Sequence, residues 1–292
     1  MSGFRGKTVI VTGGSGFLGT HLRAKLAKLG VNLINMDIVE SPCLDVTKKE
    51  SFRDMTADLI FHLAGIASPN QCEADPQSAT YVNVNGTLNV LEYAARMRIG
   101  VVYPSSIQVY GEPDFLPVDE NCPLRPIGIY GLTKAICESI CSFYREKRGI
   151  RVSILRLANA YGPRQRRGFI VPDIITQALT NRSVSILSSK PSRDFVFVDD
   201  VIDAFCLAGE LLLPEPFNIS SGKETTVGEL ARIICESTQA RVSSQEKTVI
   251  GPSRLSASNS LARKELGWRP HTRLEDGLRK TILWYSGENA HE

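Results

Sequence analysis

Tyr130 and Lys134 stand four residues apart in the run Tyr130-Gly-Leu-Thr-Lys134. On a helix that spacing puts both side chains on one face, one turn from each other. A free phenol has a pKa of about 10 and is a poor base near neutral pH. A neighbouring ammonium favours the phenolate and brings that value down. The pair therefore suits proton transfer to and from a sugar or alcohol hydroxyl. The spacing alone also occurs on plain amphipathic helices, but here two features accompany it. Ser105 and Ser106 end an apolar run upstream, and a glycine-rich turn opens the chain.

The elements that must position these groups are legible in order. Lys7 to Thr12 is a β-branched run that reads as a buried parallel strand. Gly13-Gly-Ser-Gly16-Phe-Leu-Gly19 follows at once, and an amphipathic helix then runs to about Leu29. Strand, glycine turn and helix are the context of a dinucleotide site. The glycines let backbone approach a pyrophosphate, and the helix N-terminus, with Phe17 and Leu18, faces its charge. The spacing is G-x-x-G-x-x-G, not G-x-G-x-x-G. Asn32 to Met36 is a second strand ending at Asp37. A carboxylate there accepts hydrogen bonds from ribose hydroxyls and repels a 2′-phosphate, which favours NAD over NADP.

Leu59 to His62 is a third strand entering the small-residue turn Leu63-Ala64-Gly65, where backbone can lie against a cofactor. His62 reads as a packed, hydrogen-bonded histidine under that cofactor, not a base. One long helix is expected from near Pro76 to Arg98, with Asn83 and Asn85 inside it. Val101 to Ser106 is the fourth strand. A serine at the C-terminal end of a parallel strand points into the crevice where ligands bind. The helix carrying Tyr130 and Lys134 runs to about Arg148.

Composition sets bounds on this reading. The 292 residues carry 42% hydrophobic and 22% charged side chains and a net charge of +3. That is a soluble enzyme profile, too mild in charge to argue for nucleic acid and without an apolar run of membrane-spanning length. The N-terminus reads as no signal peptide. Seven scattered cysteines imply reduced thiols and a cytoplasmic setting. Cys137 and Cys141 share a helix face and read as buried small hydrophobes, with no metal site expected.

With these motifs in fixed order, the chain resembles the extended short-chain dehydrogenase/reductases of the nucleotide-sugar epimerase/dehydratase group, with UDP-galactose 4-epimerase as the nearest well-known type. The resemblance spans nearly the whole chain. It implies an α/β fold, a doubly wound Rossmann-type parallel sheet with a smaller C-terminal α/β substrate lobe, and NAD as cofactor. It makes Tyr130 the catalytic base, Lys134 the ligand of the nicotinamide ribose, and Ser106 the partner of the reacting hydroxyl. Gly13, Gly16, Phe17, Leu18 and Asp37 match the cofactor turn and ribose contact, and Leu63, Ala64 and Gly65 the backbone beside the cofactor. Cys43-Leu-Asp45-Val46 resembles the segment whose Asp reaches the adenine amino group.

In the second half, Arg151 to Ala158 is a strand closed by Asn159-Ala-Tyr-Gly-Pro163. In the family such an Asn contacts the diphosphate region of the nucleotide sugar. Arg164, Arg166 and Arg167 fit equally a phosphate contact and a solvated basic loop. Residues 169–181 read as a helix. Arg193-Asp-Phe-Val-Phe-Val-Asp199-Asp200 resembles a family motif whose Arg lies near the nucleotide, and Arg254 lies where relatives place an Arg on the diphosphate. Asp199 and Asp200 read as caps of a helix N-terminus, Phe217 to Gly222 as a strand and turn of the smaller lobe, and Thr226-Val-Gly-Glu229 as a capping box. Two stretches depart from the family pattern. Ser188-Ser-Lys-Pro-Ser replaces a glycine-rich turn, and Ser or Asn stands at 256–259 where relatives have Asp. The expected division is an NAD-binding domain at 1–160, to which 193–213 returns, and a nucleotide-sugar lobe at 161–292. Relatives dimerise through two long helices, here 76–98 and 128–148, which implies a homodimer.

The residues after Ser106 discriminate among reactions. Family 4,6-dehydratases carry Asp-Glu there, an acid for the leaving hydroxyl and a base for the C5 proton. Decarboxylases of the family carry Glu at the second position. Ile107 and Gln108 exchange no proton at neutral pH. What remains is redox at one carbon. The leading expectation is NAD-dependent epimerisation of a nucleotide sugar at C4 through a transient 4-keto sugar, a step of carbohydrate biosynthesis. The same Ser, Tyr and Lys would serve an NAD(P)H-dependent 4-keto-6-deoxysugar reductase. A non-catalytic dinucleotide sensor or scaffold is the third expectation, weakened by the presence of all three residues.

Overall fold

The structure is a computed structural model and describes all residues except 1, 41–42, 54, 248–250 and 288–292. The β-branched and apolar runs form the strands of one sheet: β1 (Thr8–Thr12), β2 (Asn32–Met36), β3 (Leu59–His62), β4 (Gly100–Ser106), β5 (Val152–Leu157) and, after four further short strands, β10 (Pro216–Ile219). All pairings in it are parallel, in the order β10-β5-β4-β3-β1-β2. β2 lies on one side of β1 and β3 on the other, so the chain reverses direction across the sheet at β1. In open parallel sheets that switch point is where the crevice for ligands opens, at the carboxyl ends of the strands.

Strand alternation divides the core between the two faces of the sheet. Val9, Val11, Phe61, Val102 and Leu155 face one way, against α1 (Phe17–Lys28) and α7 (Val198–Leu211). Ile10, Ile60, Val101, Tyr103 and Ile154 face the other, against α4 (Gly86–Met97) and α5 (Ile129–Arg148). Cys137 and Cys141 are buried in this second layer, packed as the small hydrophobes expected of them.

The helix expected over 76–98 is in three pieces. It comprises α3 (Pro76–Thr80), a π-helical turn at Tyr81–Asn85, and α4, preceded by the short α2 (Pro69–Ala74). A π-turn inserts one residue into the helical ladder and re-aims the side chains within it. Here it delivers Asn83 to the end of β3.

Beyond β5 the chain builds three smaller sheets. β6 (Asn159–Tyr161) pairs with β9 (Phe195–Phe197), and β7 (Ser183–Ile186) pairs with β12 (Arg241–Ser244). β8 (Ser192–Arg193) lies between β11 (Thr225–Thr226) and β13 (Arg254–Leu255). The helices α6 (Ile170–Asn181), α8 (Val227–Thr238) and α9 (Leu274–Tyr285) pack around them. One expectation is corrected: the strand at 217–219 does not join the smaller sheets. It is the sixth strand of the main sheet, Asn218 opposite Arg156, because Phe217 and Ile219 are buried against the α7 face.

Candidate active site

The carboxyl ends of β1, β2, β3 and β4 carry Gly13, Asp37, Leu63 and Ser106, and α5 brings Tyr130 and Lys134 over β4. The glycine turn is tight. Gly13 has φ +65°, and a Cβ there would lie 2.6 Å from Ala64 N. A Cβ on Gly19 would lie 2.3 Å from Gly13 O. Only glycine lets the turn, the first turn of α1 and the Ala64 backbone approach so closely. No side chain caps the N-terminus of α1 at Gly16, so its first amides are left to an anion. A pyrophosphate fits that cradle, and Asp37 stands beside it, accepting from Ser15 N at 2.9 Å and Val39 N at 3.1 Å. Asp45 lies farther along, its carboxylate on Thr47 N and Oγ1, next to the buried Val46.

His62 is fixed by a chain of hydrogen bonds with one consistent polarity. Ala64 N donates to Thr12 Oγ1, whose hydroxyl donates to His62 Nδ1 at 2.8 Å. His62 Nε2 then donates to Thr87 Oγ1 at 3.0 Å, and Thr87 donates to Asn83 O. Full burial pushes the imidazole down to about 3, so it is neutral and both ring nitrogens are used. This histidine braces the turn.

Asn83 carries the brace onward. Its Oδ1 accepts from Ile66 N at 2.7 Å, and its Nδ2 donates to Ile66 O and to Thr133 Oγ1, each at 3.1 Å. Thr133 in turn donates to Tyr130 O at 2.8 Å. The Gly65 turn and the turn of α5 that carries Tyr130 are thus joined through one carboxamide. Glu73 on α2 fixes the start of α5, accepting from Ile129 N at 2.7 Å. Motif reading gave Asn83 and Glu73 no role, since the α5 groups they hold lie 50 and 56 residues away and nothing in their local sequence marks them.

Lys134 Nζ donates to Pro104 O at 2.8 Å and lies 4.9 Å from the centre of the Tyr103 ring and 5.8 Å from that of Tyr130. Burial disfavours its charge and brings its pKa down. Ser106 Oγ accepts from Gln108 N at 3.2 Å. Here the electrostatics differ from expectation. Burial dominates at Tyr130 and pushes the phenol up to about 12, against the opposing contact with the Ser106 hydroxyl. The ammonium is committed to the Pro104 carbonyl and does not bring the phenol below its ordinary value.

A buried polar network underlies Ser106. Ser105 Oγ donates to Glu138 Oε1 at 2.5 Å, and Arg156 grips both carboxylate oxygens of Glu138. Arg156 NH1 also donates to Tyr110 Oη and Glu120 O, and Tyr110 donates to Asn218 Oδ1.

In the second half, Asn159 is stitched to the β8–β9 junction by its N and Nδ2, both on Asp194 O. Arg193 NH1 donates to Ser192 O at 2.8 Å, and burial lowers its pKa. Arg254 is held by Glu224, which accepts from its Nε at 3.0 Å and NH2 at 2.5 Å. Arg164, Arg166 and Arg167 are exposed. Asp194 is a structural group missed in the sequence. Fully buried, it accepts from Ser221 N, Ser221 Oγ and Gly222 N, and burial pushes its carboxyl up to about 6.

The capping expectation for Asp199 and Asp200 is corrected. Both lie in the first turn of α7, which no side chain caps. Asp200 turns away to accept from His271 N and Thr272 N, and Asp199 lies near His21. Thr226 does cap α8, accepting from Glu229 N at 3.1 Å. At the two departures, Ser189 O and Pro191 O accept the amides that open α8, and Asn259 Nδ2 ties to Ser220 O.

The family model "NAD dependent epimerase/dehydratase family" matches residues 9–220, from the first strand to the sixth. The chain belongs to this family of NAD-dependent enzymes. NAD is accordingly its cofactor. A family member described as a putative UDP-glucose 4-epimerase of Methanocaldococcus jannaschii is 32% identical, over 96% of this chain and 99% of the relative. UDP-glucuronic acid decarboxylase 1 of Xenopus tropicalis is 28% identical, over 98% of this chain and 74% of the relative. The UDP-glucose 4-epimerase of Thermotoga maritima, solved with UDP-glucose, superposes with a TM-score of 0.92 at 28% identity, over 97% of this chain and 99% of that one. No helix among the described residues is long and apolar enough to cross a membrane.

Proposed function

We propose that this family member is a nucleotide-sugar epimerase acting at C4, with Tyr130 as base and Ser106 as partner of the reacting hydroxyl. The observation that carries this reading is the state of the acids around the end of β4. Ile107 and Gln108 follow Ser106, and Ile107 is buried. The carboxylates next along the chain have partners: Glu112 with Ser253, Asp114 with Arg125, Asp119 with Asn121 N, Glu120 with Asn218 N, and Glu138 with Ser105 and Arg156. Elimination of water needs a poised acid and a poised base, and decarboxylation in relatives uses a Glu where Gln108 stands. Proton transfer at a single hydroxyl needs only Tyr130 and Ser106.

When bound, NAD supplies a reversible acceptor for the hydride of the sugar carbon. Gly13, Gly16, Phe17 and Leu18 would hold its pyrophosphate by backbone, Asp37 its adenosine ribose, Asp45 and Val46 the adenine end, and Leu63 to Gly65 its flank. Lys134 would take the nicotinamide ribose. Tyr130 removes the proton of the 4-hydroxyl and returns it after the 4-keto sugar has turned over in the pocket. Asn159, Arg193 and Arg254 would bind the nucleotide diphosphate, and for Arg254 this requires sharing or breaking its pair with Glu224. The first domain, 1–160 with 193–213, would bind the cofactor and 161–292 the nucleotide sugar. Two chains would associate through α4 and α5.

The test is NMR of a panel of UDP-, GDP-, dTDP- and CDP-sugars incubated with purified protein and no added cofactor. Appearance of the 4-epimer of one panel member supports the reading and names the substrate. An unchanged panel with NAD confirmed in the protein overturns it. Turnover of 4-keto sugars with NADH or NADPH would then identify a reductase.

A further inference from the structure

Asp37 is joined to a second carboxylate through the glycine turn. Ser15 N donates to Asp37 Oδ2 at 2.9 Å, and Ser15 Oγ donates to Glu40 Oε1 at 2.7 Å. The same Glu40 oxygen accepts from Arg23 NH1 at 3.1 Å. Arg23 NH1 also lies 3.4 Å from Gly14 O, and Asn35 Nδ2 donates to Ser15 Oγ at 3.2 Å. Residues of the turn, α1, β2 and the loop after β2 therefore form one chain, Asp37–Ser15–Glu40–Arg23. The hydrogen bond from Ser15 holds the Glu40 carboxyl below the usual carboxylate range, so it stays ionised.

The charges of this chain decide what it admits. Two carboxylates and one guanidinium leave a formal −1 beside the ribose contact. An arginine at this place is what accommodates the 2′-phosphate of NADP, and a carboxylate is what rejects it. Both are present here, and Glu40 occupies the arginine. We propose that Glu40 is a specificity-determining residue: by holding Arg23 and adding its charge to that of Asp37, it excludes NADP from a turn that otherwise has the cation to bind it. The inference rests on the reading of Asp37 as the adenosine ribose contact.

Calorimetric titration of the full chain, freed of bound dinucleotide, with NAD and with NADP tests this without turnover. Glu40→Gln keeps an acceptor for Ser15 and removes only the charge. It should tighten NADP about tenfold, the scale of one partly exposed charge interaction, and leave NAD within about threefold. Glu40→Gln combined with Arg23→Gln should lose that gain. Asp37→Asn should weaken NAD, reporting on the ribose contact separately. Because the readout is the ratio of two affinities of the same sample, a partly misfolded fraction cancels. An NAD:NADP ratio unchanged by Glu40→Gln, or a gain that persists without Arg23, overturns the proposal while leaving the ribose reading intact. Wild type that binds neither dinucleotide, or NAD affinity indifferent to Asp37→Asn, overturns the reading beneath it.

Discussion

Glu138 Oε2 and Arg156 NH2 lie 2.7 Å apart, with both side chains only 6% exposed. Glu138 is on α5, one turn beyond Lys134 and two beyond Tyr130. Arg156 is on β5, opposite Ser105 of β4. Through Ser105 the pair fixes α5, which carries Tyr130, to the strand end that carries Ser106.

Removing one partner of a buried pair leaves the other charge uncompensated. Glu138→Leu is therefore expected to lower stability by about 3–5 kcal/mol, read as the shift of a urea unfolding midpoint. Glu138→Gln keeps an acceptor for Ser105 and should retain more stability. It should still lower kcat more than it raises KM, because Ser106 and Tyr130 lose their mutual register. Full activity in Glu138→Gln would remove the network from the catalytic account.

Tyr130→Phe should lower kcat by roughly 10²–10⁴-fold, the usual worth of a positioned acid–base group, with NAD affinity little changed. Burial pushes the phenol up to about 12. The absorbance difference between wild type and Tyr130→Phe should titrate there without NAD and shift downward with NAD bound. A midpoint that NAD leaves in place, beside a pH–rate limb near neutrality, would assign that limb to another group.

His62 and Asp194 should give the pH dependence of stability two opposing slopes. The folded imidazole is pushed down to about 3. Between that value and about 6.5 only the unfolded chain takes up the proton, so stability rises with pH in this window. The folded carboxyl of Asp194 is pushed up to about 6. Between about 3.9 and that value only the folded chain keeps the proton, so stability falls as pH rises. Thermal melts across pH 3–7 should lose the first slope in His62→Gln and the second in Asp194→Asn. An unaltered profile in either variant would contradict its assignment.

The exposed faces of α4 and α5 carry Leu88, Leu132, Ile136 and Phe143, the last 52% exposed. If two copies meet there, sedimentation should report twice the chain mass of 32.1 kDa. Phe143→Glu, which puts a charge in that seam, should then sediment as one chain. Wild type sedimenting as a monomer at micromolar concentration would remove the interface.

Features that depend on short spacing were legible in the residues alone. The run Val9-Ile-Val11 before Gly13, Gly16 and Gly19 specifies strand, turn and helix, because backbone sterics at those glycines are local. Tyr130 and Lys134 share a helix face for the same reason. Features that depend on burial and long separation emerged only on folding. Residues 216–219 became the sixth strand because β5 presented an open edge. The helix over 76–98 broke into a π-turn because Asn83 satisfies both backbone groups of Ile66. The Asp200 side chain turned from its own helix end to hold the backbone at 271–272. The sign of the Tyr130 shift was also settled in three dimensions: i,i+4 spacing brings the ammonium near the phenol, but desolvation and the Pro104 carbonyl determine which charge the site favours.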